Sequence, residues 1–75
     1  MLEPENLVKI TTTIMPFGKY AGRPLMDLPE EYLLWLSQKD FPKGELGALL
    51  SLVLVIKSEG LEKLVKEALV GTSGK

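Results

Sequence analysis

Residues Met15 to Leu36 read MPFGKYAGRPLMDLPEEYLLWL, and the fold turns on what the first half of that stretch does. Ala21 and Gly22 separate two short runs, Phe17 to Tyr20 and Arg23 to Met26. Glycine enters positive φ without a steric penalty, so Gly22 suits the tight turn of a β-hairpin. Pro24 has no amide donor and would then lie on an edge. The second half changes period. Asp27 reads as a helix cap, Pro29 fits the first turn, and Glu30 stands three residues after the cap, as in a capping box. Tyr32, Leu33, Trp35 and Leu36 follow at helical spacing. The stretch therefore predicts a hairpin running into a helix.

Upstream, Pro4 and ENLVKI predict a short first helix with Leu7, Val8 and Ile10 inward, and Thr11, Thr12 and Thr13 then favour extended backbone. Downstream, Asp40, Pro42 and Gly44 mark a connection. A helix follows from about Glu45 to Glu59, closed by Gly60 in left-handed conformation with Leu61 packing back. A last helix runs to about Val70, with Leu61, Leu64, Val65, Ala68 and Leu69 on one stripe. The expected fold is α+β and mainly helical: one small domain over residues 1–75, with one β-hairpin packed on three or four helices and a flexible tail over 71–75.

The helix beginning at Glu45 is unusual in having nine Leu, Val, Ile or Ala in the eleven positions from Leu46 to Ile56. Eleven residues cover only about 16 Å of a hydrocarbon core about 30 Å thick, so the run is a buried helix and no membrane partner is expected. It is apolar nearly all round and needs cover on several sides. Leu52, Leu54 and Val55, off the main stripe, are the expected surface of a homodimer; the alternative is cover from the same chain.

A chain of 75 residues buries only about 60% of its unfolded surface, and this one has neither cysteine nor histidine to add disulfides or a zinc site. Stability must come from packing. The net charge of −1 argues against coating nucleic acid or anionic membrane by bulk charge. The opening MLEPENLVK is acidic and leads into no apolar run, so it does not read as a signal peptide, and a cytoplasmic protein is expected. Histidine-based nucleophilic catalysis is excluded by composition. Glu30 and Glu31 are adjacent on one helix, where their ordinary role is to place negative charge in its first turn; with Asp27 they make only an unspecific magnesium site. No enzymatic activity, catalytic residue, metal or cofactor is expected.

What remains is a cluster of Phe17, Lys19, Tyr20 and Arg23, in a segment free of acids from Lys9 to Pro24. It reads either as an anchored turn with solvated cations or as an aromatic, cationic lip able to stack a base and hold a phosphate of single-stranded nucleic acid. Trp35 reads first as a core anchor and second as part of such a lip.

MPFGKYAGRPLMDLPEEYLLWL with FPKGELGALL and IKSEGLE closely resembles a family of short bacterial proteins of unknown function, described as quorum-sensing-regulated virulence factors, over about residues 13–64. FGKYAGRPL with LPEEYLLWL is also similar to the small C-terminal domain of exonuclease X-like DNA-processing enzymes, over about residues 16–36. The second resemblance implies a nucleic-acid-associated accessory role, with Lys19, Tyr20, Arg23 and Trp35 at the matching motif positions. Ala21 stands where the motif would carry a further lysine. Two functions are thus expected in order: a binding module for single-stranded nucleic acid or a nucleic-acid enzyme, then a protein-interaction adaptor in virulence or quorum-sensing regulation.

Overall fold

A computed structural model describes residues 3–74 of the chain. Four helices follow one another: α1 (Pro4–Thr12), α2 (Glu30–Gln38), α3 (Glu45–Ser58) and α4 (Glu62–Gly74), with a 3-10 turn at Leu25–Asp27 between α1 and α2. Among the described residues there is no strand, and the fold is all-α rather than α+β. The predicted hairpin is corrected to a loop closed by one antiparallel bridge, Ile14 to Pro24.

The reason lies in the pairing. Leu25 N–H donates to the Thr13 carbonyl (3.0 Å) and Met15 N–H to that of Arg23 (2.8 Å), so the chain does double back. The bridge, however, pairs Pro24 with Ile14, outside the run Phe17 to Tyr20. Inside it, Gly18 and Gly22 both take positive φ, 81° and 93°. Two consecutive turns result, with Ala21 N–H donating to Gly18 and Arg23 N–H to Tyr20. Beyond it, Leu25 and Leu28 are both fully buried, a spacing of three that winds the chain into the 3-10 turn instead of a pleat. Burial of two leucines from a turn outweighs a ladder that Pro24 could not continue.

The same turn displaces the predicted cap. Asp27 belongs to the 3-10 turn, Pro29 flanks α2, and no side chain caps the helix; its first bond runs from Leu33 N–H to the Pro29 carbonyl (3.1 Å). In α1, Leu7 and Ile10 are buried but Val8 is exposed. Thr11 and Thr12 stay helical because their hydroxyls donate to the Val8 carbonyl, at 2.7 and 3.0 Å, and only Thr13 leaves the helix.

Helix α3 is the centre of the core. Leu49, Leu50, Leu52, Val53 and Ile56 are buried against Leu33 and Leu36 of α2, Leu7 and Ile10 of α1, and Met15, Leu25 and Leu28 of the connection. The cover demanded by its all-round apolarity thus comes largely from within the chain: Leu52 is buried, Leu54 half-buried, and Val55 exposed. Gly60 closes α3 as expected, at φ 69°, with Leu61 N–H donating to Ile56 (2.8 Å) and Gly60 N–H to Lys57 (3.2 Å). This is the Schellman arrangement. In α4, Val65 is buried, Leu69 and, just before the helix, Leu61 are half-buried against the core, and Leu64 is exposed. The helix continues to Gly74; of the tail expected over 71–75, Lys75 lies outside the described residues.

Candidate functional site

The loop from Met15 to Arg23 lies against the first half of α2, and the contact is made by rings. Tyr20 meets Tyr32 edge to face, with centroids 4.8 Å apart at 69°. Tyr32 stacks on Trp35, 5.9 Å away and inclined by 25°. Tyr32 and Trp35 are three residues apart on α2, so one helical face presents both. The loop closes on Tyr32 at Gly18 as well, where a Cβ would stand 2.6 Å from the Tyr32 hydroxyl oxygen. Each pair sits in a geometry that the quadrupoles of the rings favour.

Cations close both ends of this row. Lys19 Nζ and the Arg23 guanidinium lie 5.6 and 5.7 Å from the Tyr20 centroid. Lys39 Nζ lies 5.4 Å from that of Trp35. The order is therefore Lys39, Trp35, Tyr32, Tyr20, then Lys19 with Arg23. Lys9 pairs with Glu45 and Lys57 with Glu62, both away from the row, and among the described residues none of the three cations at the row is in an ion pair. All three are exposed. Their positive charge is held by π faces only, at an exposed-site strength of about 0.5–1 kcal/mol each, and stays available to an anion.

The four residues singled out in the sequence, Lys19, Tyr20, Arg23 and Trp35, are thus brought into one row. Trp35 is 50% exposed, which corrects its reading as a core anchor; Leu33 and Leu36 fill that role. Phe17, the other aromatic of the loop, is exposed and takes no part in the ring contacts. Sequence reasoning missed Tyr32 and Lys39. Their signal was present in the spacing 32, 35, 39, which sets Tyr32 and Trp35 along one side of α2 and Lys39, the residue just past its end, beyond them. Leu52, Leu54 and Val55 lie on α3, and their burial leaves Val55 as the exposed member. Asp27, Glu30 and Glu31 sit at the 3-10 turn and the start of α2; among the described residues no group of three metal-ligating side chains converges.

The row offers a half-exposed π face, two tyrosine rings behind it, and unpaired cations at either end. Chemically it can stack a planar group and hold an anion beside it. The family model described as "Putative quorum-sensing-regulated virulence factor" matches residues 3–68. The chain is 61% identical over 66 residues to "Uncharacterized protein YpeB" of Escherichia coli strain K12, covering 87% of this chain and 92% of that protein, and equally to the protein of that name in Escherichia coli O157:H7. No solved structure matches the chain. Among the described residues, no helix is long and apolar enough to cross a membrane.

Proposed function

The chain belongs to the family described as "Putative quorum-sensing-regulated virulence factor", and from that premise we propose that it is a non-catalytic binding module for single-stranded nucleic acid, working in the cytoplasm alone or beside a nucleic-acid enzyme. The family description speaks of regulation and names no ligand. The observation that carries the reading is the row from Lys39 to Arg23. A ring half open to solvent, continuous with two others and flanked by cations without carboxylate partners, is the composition of a surface that stacks bases and holds phosphates. The resemblance of FGKYAGRPL and LPEEYLLWL to the accessory domain of exonuclease X-like enzymes supports the same class of ligand.

Net charge −1 does not oppose it, because the three cations are local and attraction falls off over a Debye length of about 10 Å. Affinity is then set by stacking, at about 1–3 kcal/mol per base, more than by charge.

The test is the fluorescence of Trp35, the one tryptophan, during titration with short single-stranded DNA at low and then moderate salt. A saturable change that weakens with salt, and whose midpoint moves to higher DNA concentration in Lys19→Ala with Arg23→Ala, is the expected result. No change, together with unaltered anisotropy of labelled DNA, overturns the proposal and leaves an adaptor that binds protein.

A further inference from the structure

The loop that carries Lys19 and Arg23 also holds backbone donors. The N–H groups of Ala21, Gly22 and Arg23 donate to carbonyls of the same loop, whereas those of Gly18, Lys19 and Tyr20 donate to no acceptor among the described residues. Gly18 has φ 81°, Lys19 and Tyr20 have negative φ, and the chain bends at Gly18. That alternation of hand turns successive N–H groups towards one concavity, the backbone arrangement that holds anions in phosphate-binding loops. Lys19 is the middle residue of the bend, and its ammonium and the Arg23 guanidinium both lie over the Tyr20 ring, free of carboxylate partners.

We infer that this bend is a phosphate site and, resting on the reading just given, that its ligand is the terminal phosphate monoester of a strand. A phosphodiester inside a strand carries one negative charge and leaves only two oxygens unesterified. A terminal monoester carries about −1.5 to −2 and presents three acceptor oxygens. Two cations and three N–H groups match the larger charge and the third oxygen, and the segment has no acid from Lys9 to Pro24 to oppose them. Arginine adds a planar fork that takes two of those oxygens at once.

The rest of the row agrees with an end and not a run. Tyr20 and Tyr32 are half-buried and cover one another, and Trp35 is the one open ring. It stacks a single base, and an internal series of nucleotides finds no further face to follow.

The experiment follows the backbone amides of the full chain by NMR during titration with sodium phosphate, ionic strength being held constant with sodium chloride. Saturable shifts at Gly18, Lys19 and Tyr20, larger than those at Ala21 to Arg23, are expected. They should weaken in Lys19→Gln with Arg23→Gln, both at exposed positions, while helical circular dichroism stays that of the parent. Anisotropy then compares a short labelled oligothymidylate with hydroxyl ends against the same strand carrying a 5′- or a 3′-phosphate, with thymidine monophosphate as competitor. A phosphate at the unlabelled end is expected to tighten binding about tenfold, the worth of one hydrogen bond to a charged group. Amides that ignore phosphate, or respond equally to chloride alone, overturn the site. Amides that respond while all three strands bind alike, or while the mononucleotide competes as well as a phosphorylated strand, overturn the assignment to a strand end and leave the nucleic-acid module standing. Amides that respond while no strand binds overturn the reading of the row as well, and leave a site for free phosphate.

Discussion

Gly47 sits in the first turn and a half of α3, buried, and a methyl group added there would fall inside the van der Waals envelope of the Pro42 carbonyl oxygen. Pro42 is backbone in a short connection and cannot step aside as a flexible side chain would. Gly47→Ala is therefore expected to destabilise the fold by about 1–3 kcal/mol, as overpacking does. A urea midpoint unchanged from the parent would contradict the close approach. Gly18 carries a different constraint. Its φ of 81° is strained for any L side chain, and the added methyl meets the Tyr32 hydroxyl. Gly18→Ala is expected to displace Tyr32 from the row and shift Trp35 emission, while helical circular dichroism stays that of the parent. Asp40 closes α2 in left-handed backbone, φ 68°, the one described residue other than glycine to do so. That conformation costs an L residue about 1–2 kcal/mol, and the flexibility that glycine adds to the unfolded chain returns about 0.5–1. Asp40→Gly should accordingly raise stability by about 0.5 kcal/mol, read from the same urea midpoints.

At the scale of elements, the sequence carried the helices and not the loop. Amphipathic spacing, the glycine after α3 and the apolar run of α3 are local signals, and all four helices form where they point, although α1 runs on through Thr12, α2 starts without the Asp27 cap and α4 continues past Val70 to Gly74. The segment from Phe17 to Met26 was ambiguous because glycine at a turn serves a hairpin and a two-turn loop equally; the choice was made by burial of Leu25 and Leu28 against α1 and α3, a non-local fact. The site was half legible for the same reason. Lys19, Tyr20 and Arg23 were marked by composition, but that they meet Tyr32 and Trp35 depends on where the loop lands. Between elements, Lys9 of α1 donates to Glu45 of α3. That bond to the carboxylate holds the Lys9 pKa above its ordinary value. A raised folded pKa means stability that is fully present below the unfolded pKa, about 10.4, and is lost as pH climbs through the folded one. The melting temperature of Lys9→Met should lie slightly below the parent's at neutral pH, and the gap should close in strongly alkaline buffer. A gap that persists there would assign the effect to packing of the lysine stem.

For the molecule as a whole, cohesion is uneven. Helix α3 packs on α1, on α2 and on the 3-10 turn, whereas α4 packs on α1. Of α4's described side chains Val65 alone is buried, and an apolar groove of about 200 Å³ lined by Leu7, Leu61, Leu64, Val65 and Ala68 runs along its contact with α1. What ties α4 back is the Schellman closure at Gly60 and the ion pair of Lys57 with Glu62, 2.6 Å long. Lys57 is mostly covered and Glu62 half exposed, so this pair contributes more to the angle between α3 and α4 than to stability. Opening α4 exposes one buried valine and the partial burial of Leu61 and Leu69, and leaves the cluster of α3 with α2 and the loop intact. In native-state hydrogen exchange, the amides of Val65 to Leu69 should therefore open at a free energy at least about 1 kcal/mol below those of Leu50 to Val53, with a weaker dependence on denaturant. Equal free energies and equal slopes in the two helices would mean that the molecule opens as one unit, with α4 held by more than these contacts supply.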